Sequence, residues 1–564
     1  MKNIITFAAS NRQRALALAF VSTLGLGACK DVTDIKPKDS LSETAVFTDP
    51  ARVALAVTGV YNSAQSGFYD PLNGTALAVR GYPFGAASSE QDDARGEDVS
   101  DMAGFFGIVF ANTQTPSSPN VVNMWSNCYA VINQANVTIA GVRLAATNNV
   151  ITAADATIYE AELRFLRALA HHELVLHFSR PFTDGNGDKP GVPYRDVPSN
   201  TIAGVTANKA QGRGTVAEDY TKMLLDLDFA ETNLPTTRTG IVTTPAPSAS
   251  ITRATKGAAI ALKQRLRLYQ GDWAAAAVEG RKLITGTSAP FTSPIGTTLG
   301  NYALAATQRA AFPGGQTVTT ENIFSVENSS DDNPGVNGAL ANVYGSSASA
   351  PTGISGRALL AVSPNLYNAP FFTCADLRRT VMMQPDGVRP AYVLKKYTDA
   401  ATSTDYAPII RYAEVLLNQA EAIARTGNND AQALSLLNAV RNRSVTTVAD
   451  QYAPGSLTGT ALVRAILNER RIEFVGEGFR WDDISRLSPD PLYAPITGGG
   501  IPGKFSGLTS GQVTLARYSC GNPAASATPS VTAVPYSSPL FLWPIPAIEV
   551  ANNPTLAAQQ NPGY

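Results

Sequence analysis

The segment 405–486 constrains the fold most, because it combines a regular helical pattern with acidic residues on the apolar face. At about 100° per residue, a helix that begins at Ile409 places the apolar residues around Leu417 on one side. Glu414 and Glu421 fall within that side. A buried carboxylate is costly unless it is paired and hydrogen-bonded. The segment therefore predicts packed helices held together by interior ion pairs.

The same feature recurs in 462–477, where Glu469 and Glu473 interrupt an apolar face. A guanidinium can bind a carboxylate through two parallel hydrogen bonds, and arginines are abundant in this part of the chain. The residues predicted to form structural ion pairs are Arg411, Glu414, Glu421, Glu469, Arg470, Glu473 and Arg480. Further arginines available as partners are Arg441, Arg443, Arg471 and Arg486.

Inward carboxylates also suit a helical glycoside hydrolase, which sets an acid and a base across a glycosidic bond. Catalytic carboxylates need an open cleft, whereas these lie on packed faces among arginines. The sequence has no G-x-S-x-G motif, P-loop or dinucleotide fingerprint. It therefore predicts no enzyme, no catalytic residue and no cofactor, with the hydrolase as an alternative.

Two helix pairs resemble one another. The pattern 252–269 stops at Gly271 and restarts at Trp273, and the pattern 411–426 stops at Gly427 and restarts at Ala431. Each pair occupies about the 34 residues of a tetratricopeptide unit. Earlier helices supply two further, degenerate pairs, and a tetratricopeptide scaffold for another envelope protein is a second alternative.

The N-terminus predicts a lipoprotein signal. A basic region precedes the apolar run 15–26, which is too short to span a bilayer as a helix of roughly 20 residues. Small residues then lead to Cys29 and a polar stretch. We predict a signal peptide at 1–28 and a lipidated Cys29 followed by a tether at 29–48, which anchors the protein to a membrane without spanning it. An ordinary secretory signal is the alternative.

Composition limits the partners. A formal net charge of -1 and the absence of basic runs argue against nucleic acid. Charged residues make up only 16%, alongside 45 Gly and 36 Pro, which suits a secreted or surface-exposed protein. Apart from Cys29, the cysteines are Cys128, Cys374 and Cys520, and any two of them can form a disulfide.

Two patterns imitate metal sites. His171, His172 and His177 share one predicted helix, but their spacings of five and six differ from the four that one zinc ion requires. The run 184–188 begins like a calcium loop, but Lys189 occupies the required glycine position. The sequence predicts a helix face and a solvated turn, and no metal, while bound calcium stays open.

The irregular stretches between the helices hold aromatic residues beside acids, as around Tyr82, Phe105 and Tyr344. An aromatic face covers apolar C–H surface, and adjacent polar groups fix orientation, so such loops suit a sugar or peptide binder. The alternative is that these aromatics only pack the loops against the scaffold. The four tryptophans, at 125, 273, 481 and 543, are assigned to scaffold positions.

Five motifs resemble the SusD/RagB family of outer-membrane nutrient-binding lipoproteins. They are the lipobox ending at Cys29, the RFLRA run at 164–168, the RYAEVLL run at 411–417 with AEA at 420–422, the NERRIEF run at 468–474 with EGFRWDD at 477–483, and WPIP at 543–546 with the terminal NPGY. Together they cover nearly the whole mature chain in order.

The resemblance implies a mainly α fold: about four tetratricopeptide-like helix pairs form a right-handed scaffold at 49–66, 121–286 and 405–486. Long irregular insertions at 67–120, 287–404 and 487–564 form a ligand-binding lobe. It also implies a non-catalytic protein on the outer face of the outer membrane. Such a protein binds an oligosaccharide or peptide and delivers it to a SusC-like TonB-dependent transporter. The candidate ligand-binding residues are Tyr82, Asp92, Asp93, Arg95, Phe105, Phe106 and Tyr344.

Overall fold

The computed structural model describes residues 43–66, 69–70, 75–76, 81–238, 250–347, 356–522 and 528–564. The predicted signal peptide, Cys29 and most of the predicted tether lie outside these residues. Among the described helices, none combines the length and the apolar character that crossing a membrane requires.

Helices provide most of the regular structure. Up to residue 281 they are α1 (Glu43–Val46), α2 (Pro50–Ser66), α3 (Ala87–Arg95), α4 (Gly107–Phe110), α5 (Pro119–Thr147), α6 (Ala153–Phe178), α7 (Ile202–Ala210), α8 (Val216–Asn233), α9 (Lys256–Tyr269) and α10 (Trp273–Arg281). The later helices are α11 (Leu340–Tyr344), α12 (Pro364–Tyr367), α13 (Arg378–Val381), α14 (Tyr412–Thr426), α15 (Asp430–Arg441), α16 (Gly459–Phe474), α17 (Phe479–Leu487), α18 (Ala547–Asn552) and α19 (Pro554–Ala557).

The described strands are short and form two-stranded antiparallel sheets. The pairs are β1 (Tyr69–Asp70) with β2 (Thr75–Ala76), β3 (Val99–Asp101) with β7 (Leu360–Val362), β4 (Thr292–Thr297) with β5 (Gly300–Ala303), β6 (Asn322–Val326) with β10 (Ala407–Arg411), β8 (Met383–Pro385) with β9 (Tyr392–Leu394), and β11 (Gly500–Ile501) with β12 (Val534–Pro535). The predicted mainly α fold is confirmed.

The long helices pack in series. Helix α2 lies on α5, α5 on α6, α6 on α8, α8 on α9, α9 on α10, α10 on α14, and α14 on both α15 and α16. This order is consistent with stacked helix pairs, while the count of four tetratricopeptide-like pairs and their handedness stay predictions. Local sequence sets the helix ends: Thr215 and Glu218 form a capping box at the start of α8, and Gly427 closes α14 in a left-handed conformation.

The expected start of one helix was wrong. The sequence pattern extends the helix back to Ile409, but residues 407–411 form β10 and the helix begins at Tyr412. The reason is tertiary, because the backbone of β10 pairs with β6 and Arg411 is extended. Among the described helices, α5 is the longest, with 29 residues.

One large apolar core fills the scaffold and extends into the insertions, where it includes Phe106, Tyr344 and Leu360. Two smaller cores adjoin it among the described residues. The one beneath the insertions consists of Met102, Ala358, Ala361, Ala391, Val393, Phe505 and Val513. Its members come from all three predicted insertions, so these stretches form a packed unit. We call the described residues 99–110, 328–347, 356–404, 500–522 and 528–541 the loop lobe. Of the tryptophans, Trp125, Trp481 and Trp543 are buried and Trp273 is half-buried.

A disulfide joins two parts of the loop lobe. Cys374 and Cys520, which are 146 residues apart in the sequence, form it. Cys128 is a free thiol buried in the scaffold. The sequence had left the pairing open, and the structure decides it.

Candidate functional site

A buried group of charges lies where α16, β10 and the loop lobe meet. Glu473 contacts Arg443 at 2.5 Å and both Arg411 and Arg378 at 3.2 Å. Arg411 also pairs with Glu477 at 2.6 Å and with Glu321. Although burial alone raises the pKa of Glu473, these guanidinium groups lower it to about 2. We call these six residues the ion-pair cluster.

The other predicted ion-pair residues also lie in buried or half-buried pairs. The pairs are Glu414 with Arg265 at 2.7 Å, Glu421 with Arg486 at 2.7 Å, Glu469 with Arg378 at 2.5 Å, Arg470 with Asp483 at 2.9 Å, and Arg480 with Glu97 at 2.6 Å. The sequence reading missed Arg265, Arg378 and Glu321 as partners, because they lie outside 405–486 and only the fold brings them close.

These contacts bear on the hydrolase alternative. The side chains of Glu414, Glu421, Glu469 and Glu473 are each at most 2% exposed. A general acid in a glycosidase needs a raised pKa and access to the glycosidic oxygen. Burial raises the pKa of Glu421 as well, but Arg486 and Arg425 outweigh it and hold the pKa below its usual range. The geometry therefore does not favour catalysis by these carboxylates.

Most of the predicted ligand residues are buried. The six that are at most 4% exposed are Tyr82, Asp92, Asp93, Arg95, Phe106 and Tyr344. The sequence placed them in loops, but three of them lie on α3 and one ends α11. A buried side chain cannot contact an oligosaccharide at the surface, so this structure does not support ligand contact by these six. Phe105 alone among the seven is half-buried.

Asp93 attaches α3 to the scaffold. Its carboxylate accepts hydrogen bonds from the backbone N–H of Gly476 at 2.7 Å and of Gly478 at 3.2 Å, and from the Tyr344 hydroxyl at 2.9 Å. Burial raises its pKa to about 7, although these bonds oppose the rise. Gly478 has a φ of +89°, and a β-carbon there would lie 2.8 Å from the α-carbon of Ser89, so glycine is required at this position. The contact is structural.

Asp92 belongs to a neighbouring buried network. The Nε2 atom of His177 lies 3.1 Å from Asp92 and 3.2 Å from Glu173. Arg95 donates to Nδ1 of the same ring at 2.8 Å, and a guanidinium cannot accept, so the proton of the neutral ring lies on Nε2. Burial, followed by the charge of Glu173, raises the pKa of Asp92 to about 7.

The same three residues have a spacing that a cation can use. Asp92, Glu173 and His177 offer ligand atoms within 4.8 Å of one another. A metal ion would need the lone pair of Nε2. Because Arg95 donates to Nδ1, the ring proton lies on Nε2, and no lone pair is left there for a metal. We therefore interpret the group as a hydrogen-bonded network. The run 184–188 forms a turn in which Asp184 accepts from the Tyr536 hydroxyl at 2.7 Å, while the Asp188 side chain is 63% exposed.

One surface of the loop lobe combines an aromatic ring with polar groups. Phe105 packs its ring against Phe106, and the guanidinium of Arg357 lies 5.4 Å from the Phe105 ring centroid. Arg357 donates to the Val336 carbonyl at 3.0 Å and to Asn337 Oδ1 at 2.8 Å.

Leu508 adjoins the same surface. A β-carbon at Gly104 would lie 3.4 Å from its Cδ1 atom. Val336 is 58% exposed and Leu508 is 60% exposed. We call Phe105, Val336, Asn337, Arg357 and Leu508 the Phe105 patch.

The patch has the chemistry of a sugar-binding surface. A half-buried ring can cover the C–H face of a pyranose, and the amide and guanidinium groups can bind hydroxyl oxygens. Sequence reasoning found Phe105 because an aromatic residue stands in a glycine-rich run. It missed the other four members, since 336–337, 357 and 508 meet Phe105 only through tertiary packing.

A second aromatic group lies beside the disulfide. The rings of Tyr367, Tyr392 and Tyr518 lie 4.7 to 5.3 Å apart, and Tyr392 and Tyr518 are half-buried. Tyr518 donates its hydroxyl proton to the Val362 carbonyl at 2.8 Å. The guanidinium of Arg379 lies 4.4 Å from the Tyr367 ring centroid, and its described hydrogen bonds go to backbone carbonyls.

Comparison with known families gives two matches. A family model described as the SusD family matches residues 383–564. A second model, described as starch-binding and associating with the outer membrane, matches residues 92–268. The first match contains the ion-pair segments of α14 and α16, and the second contains Phe105.

Individual relatives agree with these matches. The chain is similar to SusD-like protein P2 of Formosa agariphila, with 25% identity over 503 residues, 83% of this chain and 89% of the relative. A SusD superfamily protein from Bacteroides fragilis superposes with a TM-score of 0.68 at 24% identity, covering 90% of this chain and 99% of that one. Surface glycan-binding protein A from Bacteroides thetaiotaomicron, solved with laminarihexaose, gives a TM-score of 0.61 at 19% identity, covering 91% and 100%.

Proposed function

Because the chain belongs to the SusD family, we propose that it is a cell-surface lipoprotein that binds an oligosaccharide and delivers it to a SusC-like TonB-dependent transporter. The ligand binds at the Phe105 patch, and the protein catalyses no reaction. A peptide is the alternative ligand. The observation that carries the proposal is the half-buried Phe105 ring with Arg357 and Asn337 beside it.

Two further observations support it. Relatives of the same fold include a laminarin-binding SusD-like protein and a surface glycan-binding protein. The carboxylates that suggest hydrolysis are buried and paired. The Phe105 patch lies at the surface, and its Arg357 forms no ion pair with a carboxylate among the described residues. Binding without catalysis fits this separation.

A binding experiment tests the proposal. The mature protein is screened on a glycan array, and hits are titrated by calorimetry with wild type and Phe105→Ala. Loss of the stacked ring is expected to weaken binding by about 10-fold or more. Ile202→Ala is the matched control, since Ile202 is 90% exposed on the scaffold. Absence of binding across glycan and peptide libraries would reject the proposal, and selective loss in Tyr392→Ala would move the site to the tyrosine group.

Anchoring, delivery and the absence of catalysis need separate tests. Cys29→Ser is expected to release the protein from the outer-membrane fraction. Tagged wild-type protein is expected to co-purify with a large TonB-dependent barrel from the native cell envelope. Chromatography of a bound oligosaccharide after prolonged incubation is expected to show no shorter products, and cleavage that is lost in Glu473→Gln would revive the hydrolase alternative.

A further inference from the structure

The arginines of the middle insertion differ from those of the scaffold in their partners. Five arginines lie in 287–404, at 309, 357, 378, 379 and 389. Among the described residues, Arg378 forms ion pairs with Asp376, Glu469 and Glu473, and the other four form none. Arg357 is the one whose guanidinium lies over the Phe105 ring.

Arg357 has hydrogen-bonding capacity left over. Its Nη1 group donates to the Val336 carbonyl and to Asn337, and this fixes the guanidinium beside the ring. Within the described part of the chain, Nε and Nη2 make no hydrogen bond, and neither atom is buried. The Nε–Nη2 edge of a guanidinium is the edge that binds a carboxylate or a sulfate through two parallel bonds.

A second cation lies next to it. Arg389 donates from Nε to the backbone carbonyl of Arg357 at 3.3 Å and from Nη1 to the Met102 carbonyl at 2.7 Å. These acceptors are neutral, so they do not offset the positive charge of the arginine. Two positive charges on the same surface repel each other, and an anion bound near them relieves that repulsion.

The nearby carboxylates offset this positive charge only in part. Asp386 accepts hydrogen bonds from the hydroxyl of Ser346 and the backbone N–H of Ser347. Asp101 accepts from the backbone N–H of Ala103 and Gly104. Neither acid forms an ion pair with Arg357 or Arg389 in the described structure, although the charge of Arg389 opposes the rise that burial causes in the pKa of Asp101.

We infer that the Phe105 patch selects oligosaccharides that carry an anionic group, a uronic acid carboxylate or a sulfate ester. The pyranose ring stacks on Phe105 and its anionic substituent binds the Nε–Nη2 edge of Arg357. This inference rests on the proposed function, because it names the ligand class of the same site. A neutral oligosaccharide makes the ring contact and lacks the charged one.

Calorimetric titration with three matched probes tests the inference. The probes are an oligogalacturonate, a sulfated oligosaccharide and the neutral laminarihexaose. At low salt we expect one of the two anionic probes to bind about 10-fold or more tightly than the neutral one, since hydrogen bonds to charged groups are the stronger ones. The advantage is expected to shrink in about 1 M salt, where the Debye length falls to about 3 Å. Whichever anionic probe binds identifies the group.

The variant Arg357→Gln provides a second test of the inference. The amide keeps a donor for Val336 but removes the charge, so affinity for the anionic probe is expected to fall at least about 10-fold more than affinity for laminarihexaose. Arg281→Gln is the matched control, because Arg281 is exposed on the scaffold and forms no ion pair among the described residues. If the Arg357 variant does not fold, as judged by circular dichroism, the salt dependence of wild-type binding decides whether the preference for the anionic probe is electrostatic.

The failures are distinguishable. Binding of laminarihexaose as tight as that of both anionic probes, with loss in Phe105→Ala, overturns the anionic preference and leaves the proposed function standing. An anionic preference that Arg357→Gln and high salt do not reduce also overturns the inference. If no oligosaccharide of any class binds, the proposed function itself fails.

Discussion

The ion-pair cluster and the Phe105 patch both contain arginine, but in opposite environments. Arg411, in the cluster, is 2% exposed and contacts the carboxylates of Glu321, Glu473 and Glu477. Arg357, in the patch, is half-buried and has only neutral acceptors among the described residues. A buried charge must be paired inside the protein, whereas a charge at the surface can leave a hydrogen-bonding edge for a ligand. The difference separates residues that stabilise the fold from residues that can bind.

Breaking the cluster is expected to have the largest effect. In Glu473→Gln, Arg378, Arg411 and Arg443 lose a shared buried carboxylate, so the free energy of unfolding is expected to fall by about 3 to 5 kcal/mol. Urea denaturation at pH 7 measures it. Oligosaccharide affinity of the folded fraction is expected to stay within about 2-fold of wild type.

The matched control for that change is Asp188→Asn. Asp188 forms an exposed pair with Lys189, with side chains 63% and 41% exposed, and such pairs contribute about 0 to 1 kcal/mol. If Glu473→Gln left stability unchanged and abolished ligand binding, the separation between the cluster and the patch would be wrong.

Removing the disulfide is expected to destabilise the loop lobe. The double change Cys374→Ser with Cys520→Ser opens a covalent loop between residues 146 apart, and losing such a link costs about 2 to 4 kcal/mol. Hydrogen exchange is expected to show faster exchange in 356–404 and 500–522 than in α5 and α6. Equal acceleration in the scaffold helices would contradict the idea that the disulfide stabilises the loop lobe locally.

Asp93 is expected to give stability a dependence on pH. Its folded pKa of about 7 lies above an unfolded value of about 3.9, so the folded state favours the neutral acid. The stability it contributes is fully present below about pH 4 and is lost as pH rises towards 7. In Asp93→Asn, the free energy of unfolding should therefore fall less between pH 4.5 and pH 8 than in wild type.

Asp386→Asn is the control for this slope. Burial raises the pKa of Asp386, but hydrogen bonds from Ser347 and from the Arg389 backbone outweigh it and hold the pKa at about 2. Asp386 is therefore ionised throughout that range, and its replacement should leave the slope unchanged. A wild-type slope in Asp93→Asn would show that burial does not govern this carboxyl.

The smallest effect on stability is expected in the patch itself. Leu508 is 60% exposed, so Leu508→Ser should change the free energy of unfolding by less than about 0.5 kcal/mol. Binding should weaken a few-fold, because apolar contact area with the ligand is lost. Thermal denaturation and calorimetry on one preparation measure both quantities. A stability loss as large as that of Glu473→Gln would place Leu508 in the core.

The scaffold was predictable because its signals are local. Helical periodicity around Leu417, with Glu414 and Glu421 on the apolar side, already indicates packed helices and interior ion pairs. The partner of Glu414 was not predictable, since Arg265 lies 149 residues earlier. The strand 407–411 was missed for the same reason, because its hydrogen bonds are made with β6.

The candidate site was harder to predict. Acids in a glycine-rich stretch suggested solvent exposure, so Asp93 was assigned to a ligand, whereas backbone N–H groups 383 and 385 residues later bind it. Phe105 has a local signal, an aromatic side chain in a loop. Arg357 has no local signal in the sequence. Its proposed role depends on its lack of a carboxylate partner among the described residues, and only the fold reveals that.

The first insertion is attached to the scaffold at its base, so substitutions at its tip and at its base have different consequences for the fold. At its base, Asp93 accepts from Gly476 and Gly478, and Glu97 and Asp98 form ion pairs with Arg480 and Arg471. Phe105 lies only seven residues beyond Asp98, yet its side chain takes no part in these bonds. Mutation can therefore alter the tip, and with it ligand preference, without weakening the base. A lineage that meets new glycans can vary exposed positions such as Ala103 while the buried Phe106 keeps the tip in place.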